Sequence, residues 1–198
     1  MDYLEEYINE TIFTARNLDK KKIQTIVDIL ILLKERNGRL FFVGSGGSAG
    51  TASHAVNDFR KIVGIETYTP TDNVSELTAR INDDGWETSY SNWLVASNIN
   101  KNDCLFVLSV GGGDEEKNIS VNLIEAIKTA TKAKADIVGI VGRDGGYTAR
   151  AADAALIIPV AEPKRVTPHA EAFQSVVLHM LVSHPSLQKN VAKWESQK

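Results

Sequence analysis

The chain has 198 residues, of which 43% are hydrophobic and 24% charged, proportions typical of one globular domain with a sizeable core. Its formal net charge of −3 leaves no basic excess to neutralise phosphates, which argues against general nucleic-acid binding. No apolar run approaches the ~20 residues of a membrane-spanning helix, and the single cysteine, Cys104, excludes a disulfide framework and favours a reducing cytoplasm.

Residues 2–36 predict two amphipathic helices before the first strand. Apolar side chains recur at helical spacing from Leu4 to Phe13 and again from Ile23 to Leu33, and Asn37-Gly38 supplies a helix C-cap. A minimal sheet does not need two such helices, so they either pack on the sheet or pair with a second subunit, and we favour the second. We expect one domain over 1–198, with a helical extension at 1–37 and a tail at 186–198 that docks as a short helix.

The stretch 39–60, RLFFVGSGGSAGTASHAVNDFR, predicts a buried strand at 40–43, a glycine-rich turn and a helix that opens near Ser48. Backbone amides at such a turn, together with the positive end of the helix and the hydroxyls of Ser45 and Ser48, form an anion site. The alternative is that the glycines serve only the turn. The stretch is neither a Walker A loop nor a dinucleotide fingerprint.

Farther along this helix, His54 and Asp58 are spaced i, i+4. This spacing puts an imidazole and a carboxylate on one helical face, which we expect to lie above the strand ends. The pair can hold a metal or transfer protons, or it can be an ordinary surface or interface contact. From the residues alone the two interpretations are equally supported.

The rest of the chain alternates strand and helix patterns. Continuous apolar runs predict buried parallel strands, and a glycine or polar turn follows each one. Such alternation predicts an α/β fold with ligands at the carboxyl ends of the strands. The predicted strands are 65–69, 104–108, 136–141 and 154–160, and the predicted helices are 74–80, 87–97, 114–132 and 167–182, with a turn at 82–85 between the first two helices.

These motifs in this order resemble the sugar isomerase (SIS) family, most closely its phosphoheptose isomerases. The resemblance rests on the two-helix extension, a GxGGS loop, a helix with H-x-x-x-E/D, an ND-x-G turn, a serine turn, G-x-DGG and a last helix that ends in His. It implies a flavodoxin-like, doubly wound parallel sheet. It also implies a homotetramer whose active sites lie at subunit interfaces.

The resemblance also implies roles for individual residues. The substrate would be bound by two turns and by side chains between them: Ser45, Gly46, Gly47, Ser48, Asn82, Asp83, Ser109, Gly111, Asp114 and Glu171. Zinc, one ion per subunit, would be bound by His54, Asp58, Glu171 and His179. Asp58 and His179 would be the catalytic acid and base.

The chain departs from the family pattern at three places. Val110, Gly111, Gly113 and Asp114 replace hydroxyl or amide side chains of the phosphate turn. Asp58 stands for a glutamate and Glu171 for a glutamine, which makes a set of two histidines and two carboxylates. Glu171 and His179 are eight residues apart, roughly 12 Å along a helix, so both reach one ion only by leaning together or from different subunits.

The expected activity is the isomerisation of sedoheptulose 7-phosphate to D-glycero-D-manno-heptose 7-phosphate through an enediol, in the cytoplasm. Two other functions stay open at this point. One is an isomerase for a different sugar phosphate. The other is a non-catalytic scaffold or sensor that binds a protein partner.

Overall fold

A computed structural model of the protein describes residues 2–190 and contains one five-stranded sheet. The strand order is β2-β1-β3-β4-β5 and every pair is parallel, which is the flavodoxin-like arrangement. The predicted doubly wound sheet is therefore confirmed. The strands are β1 (Leu40–Val43), β2 (Thr67–Tyr68), β3 (Cys104–Ser109), β4 (Asp136–Val141) and β5 (Ala154–Ile157).

Helices cover both faces of the sheet. They are α1 (Tyr3–Arg16), α2 (Lys20–Glu35), α3 (Gly47–Asp58), α4 (Val74–Asp84), α5 (Ser89–Ala96), α6 (Val121–Ala133), α7 (Gly146–Ala151) and α8 (Val166–Val182), and a π-helical turn at Phe59–Val63 extends α3. Successive side chains of a strand point to opposite faces, so in β1 Phe42 packs with α2, α3 and α8, whereas Phe41 packs with α5 and α6.

The predicted helix at 114–132 is wrong at its beginning, because α6 starts at Val121. The chain turns at Gly112 and Gly113, whose φ angles are +71° and +87°, and Asp114 then forms an antiparallel bridge with Ile119. The acidic residues at 114–116 thus lie in a loop. They do not complement the amino end of a helix.

Other element boundaries also differ from the predicted ones. The predicted turn at 82–85 belongs mostly to the last turn of α4, which ends at Asp84 and has Gly85, at φ +85°, as its C-cap. The helix predicted over 167–182 is α8, which begins one residue earlier, at Val166, with Arg165 as its N-cap. No helix is present over 186–190, and the rest of the predicted tail helix, with Val191 and Trp194, lies outside the described residues.

The loops after β3 and β4 contact each other backbone to backbone. The carbonyl of Gly112 accepts hydrogen bonds from the N–H and the hydroxyl of Thr148 at 2.9 and 2.7 Å. A β-carbon on Gly112 would lie 1.9 Å from the carbonyl oxygen of Gly145, and one on Gly146 would lie 2.3 Å from that of Gly111. These glycines are therefore required for packing between the two loops.

Helix α1 is held to α8 by a charged cluster around Glu10. Its carboxylate accepts hydrogen bonds from the guanidinium of Arg165, at 2.8 Å for the shorter Nε contact, and lies 2.8 Å from Nε2 of the buried His169. The ring of Tyr7 stacks on His169 with centroids 4.6 Å apart. The hydrogen bond from Arg165, with a smaller contribution from His169, lowers the pKa of Glu10 from 4.5 to about 2.

This shift predicts how Glu10 affects acid stability. Because its folded pKa lies below 4.5, the contribution of Glu10 is complete above pH 4.5 and is lost as the pH falls from there toward 2. We expect Glu10→Gln to lower the free energy of unfolding at pH 6 and to change it much less at pH 2.5, measured by urea denaturation. Glu5→Gln, at an exposed site in the same helix, is the control; equal effects of Glu10→Gln at both pH values would contradict this role.

Two helices leave surfaces uncovered in the single chain. Helix α1 exposes the apolar side chains of Tyr3, Leu4 and Ile8, each between 58% and 69% accessible, and α4 buries none of its residues. Between residues 2 and 190, the structure has no helix with the length and apolar character needed to cross a membrane.

Candidate active site

The glycine turn between β1 and α3 is held from both sides. The hydroxyl of Tyr90 donates a 2.7 Å hydrogen bond to the carbonyl of Gly44, and the hydroxyl of Ser48 donates a 2.9 Å bond to Oε1 of the buried Gln174 in α8. Gly46, at φ +60°, is the N-cap of α3. The hydroxyl of Ser48, predicted to bind substrate, therefore already holds α8 against the start of α3.

A cavity of about 300 Å³ opens beside this turn, at the carboxyl ends of β1, β3 and β4. Hydroxyl-bearing residues supply much of its wall. Arg143 is the one charged residue among those that line it. The hydroxyl-bearing residues are Ser45, Ser48, Ser109, Ser120 and Thr167. We call this space the hydroxyl cavity, and it is suited to a polar, anionic ligand.

Three polar residues of the hydroxyl cavity are not among the predicted site residues. Ser120 is the N-cap of α6 and its side chain makes no capping bond, but the prediction of a helix from 114 hid this position. Thr167 is predicted only as the first residue of the last helix. Arg143 follows a glycine in a turn, and nothing local marks it as a ligand-facing residue.

A larger cavity of about 710 Å³ adjoins the first and shares Gly111, Ile119 and Arg143 with it. Asp114 lines this larger cavity, where its carboxylate lies 3.0 Å from Nζ of Lys117. Hydrogen bonds from the Lys117 side chain and backbone lower the pKa of Asp114. The carboxylate predicted to contact substrate is thus neutralised locally and does not line the hydroxyl cavity.

The predicted His54, Asp58 and His179 come together as one cluster. Oδ2 of Asp58 lies 3.2 Å from Nε2 of His54 and 3.7 Å from Nε2 of His179. One ligand atom from each residue lies within 4.8 Å of the other two. Asp58 is buried and its Oδ1 accepts a hydrogen bond from Asn57, whereas both imidazoles are about half exposed. The cluster can bind a cation that solvent or a ligand also reaches.

This cluster forms because α3 and α8 lie side by side and run in the same direction. Ser48, near the beginning of α3, meets Gln174 in the middle of α8, and Asp58 meets His179 near the ends of both helices. Asp58 is eleven residues beyond Gly47, roughly 16 Å along the axis at 1.5 Å per residue. The helix thus carries the cluster away from the strand ends above which it was expected.

The same geometry separates Glu171 from the cluster. A β-carbon on Gly47 would lie 2.6 Å from Cδ of Glu171, so this carboxylate rests on the first turn of α3. Eight residues of straight helix separate Glu171 from His179, and within one chain the cation cluster has three members, without Glu171. Glu171 is placed at the glycine turn, where a substrate contact is possible.

Asn82 and Asp83, which were predicted to bind substrate, lie outside the hydroxyl cavity. Both are exposed in the last turn of α4, and the Asn82 amide donates a 2.8 Å hydrogen bond to the carboxylate of Asp83. Neither lines the hydroxyl cavity.

The hydroxyl cavity and the cation cluster are separate in one chain. The residues around the cluster, which include Thr51 and Ser175, have no member in common with those that line the hydroxyl cavity. A single chain therefore presents two partial sites.

The chain is similar in sequence to known proteins. The SIS domain family matches residues 2–142. A phosphoheptose isomerase of Helicobacter hepaticus is 30% identical over 164 residues, which cover 80% of this chain and 78% of that protein. The lincomycin biosynthesis protein LmbN of Streptomyces lincolnensis is 32% identical over 157 residues, covering 74% of this chain and 54% of that protein.

Solved structures share the fold. The phosphoheptose isomerase of Neisseria gonorrhoeae superposes with a TM-score of 0.77 at 24% identity, covering 90% of this chain and 94% of that one. The similarity extends over the sheet and the helices that surround it.

Proposed function

The chain belongs to the SIS domain family, and from this premise we propose that it isomerises sedoheptulose 7-phosphate to D-glycero-D-manno-heptose 7-phosphate. The observation that carries the proposal is the cluster of His54, Asp58 and His179, in a chain 30% identical to a phosphoheptose isomerase. A scaffold has no need of a buried carboxylate placed between two accessible imidazoles.

The cluster fits a zinc ion. Catalytic zinc sites have three protein ligands drawn from imidazole and carboxylate groups and leave the fourth position open. His54, Asp58 and His179 supply such a set, and the half-exposed imidazoles leave one side accessible. Bound there, zinc would polarise the carbonyl of the substrate. Glu171 would take part only from another subunit, since in its own chain it lies at Gly47.

We assign the proton transfers of the reaction to Asp58 and His179. Isomerisation of a ketose moves one proton from C1 to C2 and another between the two oxygens, through an enediol. The carboxylate of Asp58 removes the carbon-bound proton and returns it to the neighbouring carbon. His179, whose Nε2 lies 3.7 Å from Oδ2 of Asp58, would carry the proton between the oxygens on the ring nitrogen that does not bind zinc.

Residues at the strand ends would bind the other end of the substrate. Ser45 and Ser109 line the hydroxyl cavity, and the first turn of α3 offers free amides at Gly46 and Gly47. Gly111 forms part of the same wall. Asn82, Asp83 and Glu171 remain proposed substrate contacts, the first two from a neighbouring subunit.

We also propose a cytoplasmic homotetramer with active sites between subunits. The separation of the cation cluster from the hydroxyl cavity supports it, because an ion at the cluster of one subunit would have to meet the cavity of another. The exposed apolar face of α1 and the unburied α4 offer surfaces for such contacts. Light scattering measures the assembly, and a fully active monomer would contradict it. Cys104 is a free, buried thiol, which supports the reducing cytoplasm as the compartment.

The test is turnover of sedoheptulose 7-phosphate by the purified protein, with zinc measured in the same sample. We expect turnover with one zinc per chain, loss of both on chelation, and loss of zinc in His54→Ala but not in His184→Ala, a histidine outside the cluster. Metal-free protein without turnover of any ketose phosphate would support a sensor or scaffold instead.

A different sugar phosphate is the second candidate substrate. The altered turn at 110–114 and the larger cavity beside the hydroxyl cavity favour it, because together they give room for a substrate of another shape. A panel of ketose phosphates of different length in the same assay separates the two candidates.

A further inference from the structure

The hydroxyl cavity lacks side-chain donors on one wall. In the turn after β3, Ser109 offers a hydroxyl, but Val110, Gly111 and Gly113 offer none, and the hydroxyl oxygen of Ser109 already accepts the N–H of Gly112 at 3.0 Å. A phosphate dianion in this cavity therefore needs positive charge or donors from another element.

Arg143 lies where that charge is needed. It directly follows Gly142, whose N–H donates to the carbonyls of Ser109 and Val110 at 3.2 and 3.1 Å. The loop that carries Arg143 is thus fixed to the turn that lacks donors. Arg143 is the one charged residue lining the hydroxyl cavity, and it stands at the border with the larger cavity, whose wall also carries Asp114, Glu115, Glu116 and Asp144.

The guanidinium of Arg143 is also free. Within the described residues it forms no ion pair, hydrogen bond or ring contact. Most other arginines of the chain do have such a partner. One group pairs with carboxylates, and a second group lies over tyrosine rings. The first group is Arg36, Arg39, Arg80 and Arg165, and the second is Arg60 and Arg150.

The backbone conformation of Arg143 is a further observation in favour of a ligand at this position. Its φ is +49°, in the left-handed region that favours glycine or asparagine over a long side chain. Gly142, Gly145 and Gly146 in the same loop show that small residues are used around this position. An arginine held there, unpaired and facing a polar cavity, calls for an anionic partner.

We propose that Arg143 binds the phosphate group of the substrate, together with the hydroxyls of Ser109 and Ser120. The proposal rests on the proposed function for the identity of the substrate but not for the chemistry of the group bound. The planar guanidinium presents two parallel N–H donors, which match two oxygens of a phosphomonoester. Arg143 thereby takes over donors that the altered turn at 110–114 has lost.

The test compares Arg143→Asn with Arg16→Gln in the full-length protein. Asparagine tolerates a left-handed backbone, so Arg143→Asn removes the guanidinium without new strain. We expect the KM for the sugar phosphate and the inhibition constant for inorganic phosphate to rise roughly 10- to 100-fold, the scale for losing a charge-assisted bond, with a smaller change in kcat. Arg16→Gln, at an exposed site on α1 that lines neither cavity, should change both constants by less than about twofold.

Each outcome decides the proposal. Unchanged KM and phosphate inhibition in Arg143→Asn would overturn it while the proposed isomerase activity stood. If no ketose phosphate is turned over, calorimetry with inorganic phosphate replaces the assay: binding weakened by Arg143→Asn supports the site although the proposed function fails, and binding equal to wild type refutes it. Should Arg143→Asn not fold, Arg143→Gly, which suits the left-handed backbone, is judged by the same criteria.

Discussion

Replacing Asp58 with Asn should lower kcat/KM for the sugar phosphate by a factor of about 10² to 10⁴ and remove most of the bound zinc. Oδ2 of Asp58 lies between two imidazole nitrogens, at 3.2 and 3.7 Å. An amide has nearly the same shape, but it carries no negative charge and cannot accept the carbon-bound proton. Turnover and metal content of the purified variant measure the effect.

The matched control for this change is Asp28→Asn. Asp28 is exposed on α2, where it accepts a hydrogen bond from Gln24, so the same chemical change there should leave activity and zinc as they are. Melting temperatures of both variants show whether the fold survives. An Asp58→Asn protein that keeps zinc and wild-type turnover would place the catalytic carboxylate elsewhere, with Glu171 the next candidate.

Replacing Gly112 with Ala should cost about 3 kcal/mol or more of the free energy of unfolding. The new β-carbon would lie 1.9 Å from the carbonyl oxygen of Gly145, which is backbone and cannot rotate away. At φ +71° an alanine is also strained in itself. Relief requires the two loops to separate, which breaks the hydrogen bonds from Thr148 to the Gly112 carbonyl.

Gly111→Ala is the control for Gly112→Ala. A β-carbon on Gly111 meets no atom within 4 Å and its φ is not left-handed, so the neighbouring substitution should change stability by about 0.5 kcal/mol or less. Urea denaturation of the three proteins measures the difference. Equal stabilities of the two variants would show that the loops yield easily, and the glycines of this turn would then have to be explained by ligand binding.

Local patterns were sufficient for much of the fold. The strands at 40–43 and 136–141 are predicted with their observed ends, because each contains an apolar run that stops at a glycine, Gly44 or Gly142. The helix at 114–132 was not, since acidic residues before an apolar helix resemble a helix start whether or not the chain is helical there. The turn at Gly112 and the bridge from Asp114 to Ile119 are made by pairing across the loop, which periodicity does not report.

The sequence by itself determined the parallel sheet, the i, i+4 pair of His54 and Asp58, and the glycine turn beside them, because each depends on residues a few positions apart. Only the tertiary structure decided which side chains meet. His179 joins the pair, and Glu171 lies instead at Gly47, because α3 and α8 pack in parallel and eight residues of helix keep the two apart. Arg143 reaches the hydroxyl cavity from the loop after β4, Ser120 from the N-cap of α6 and Thr167 from the first turn of α8, since parallel strands bring their carboxyl ends to one edge whatever the distance along the chain.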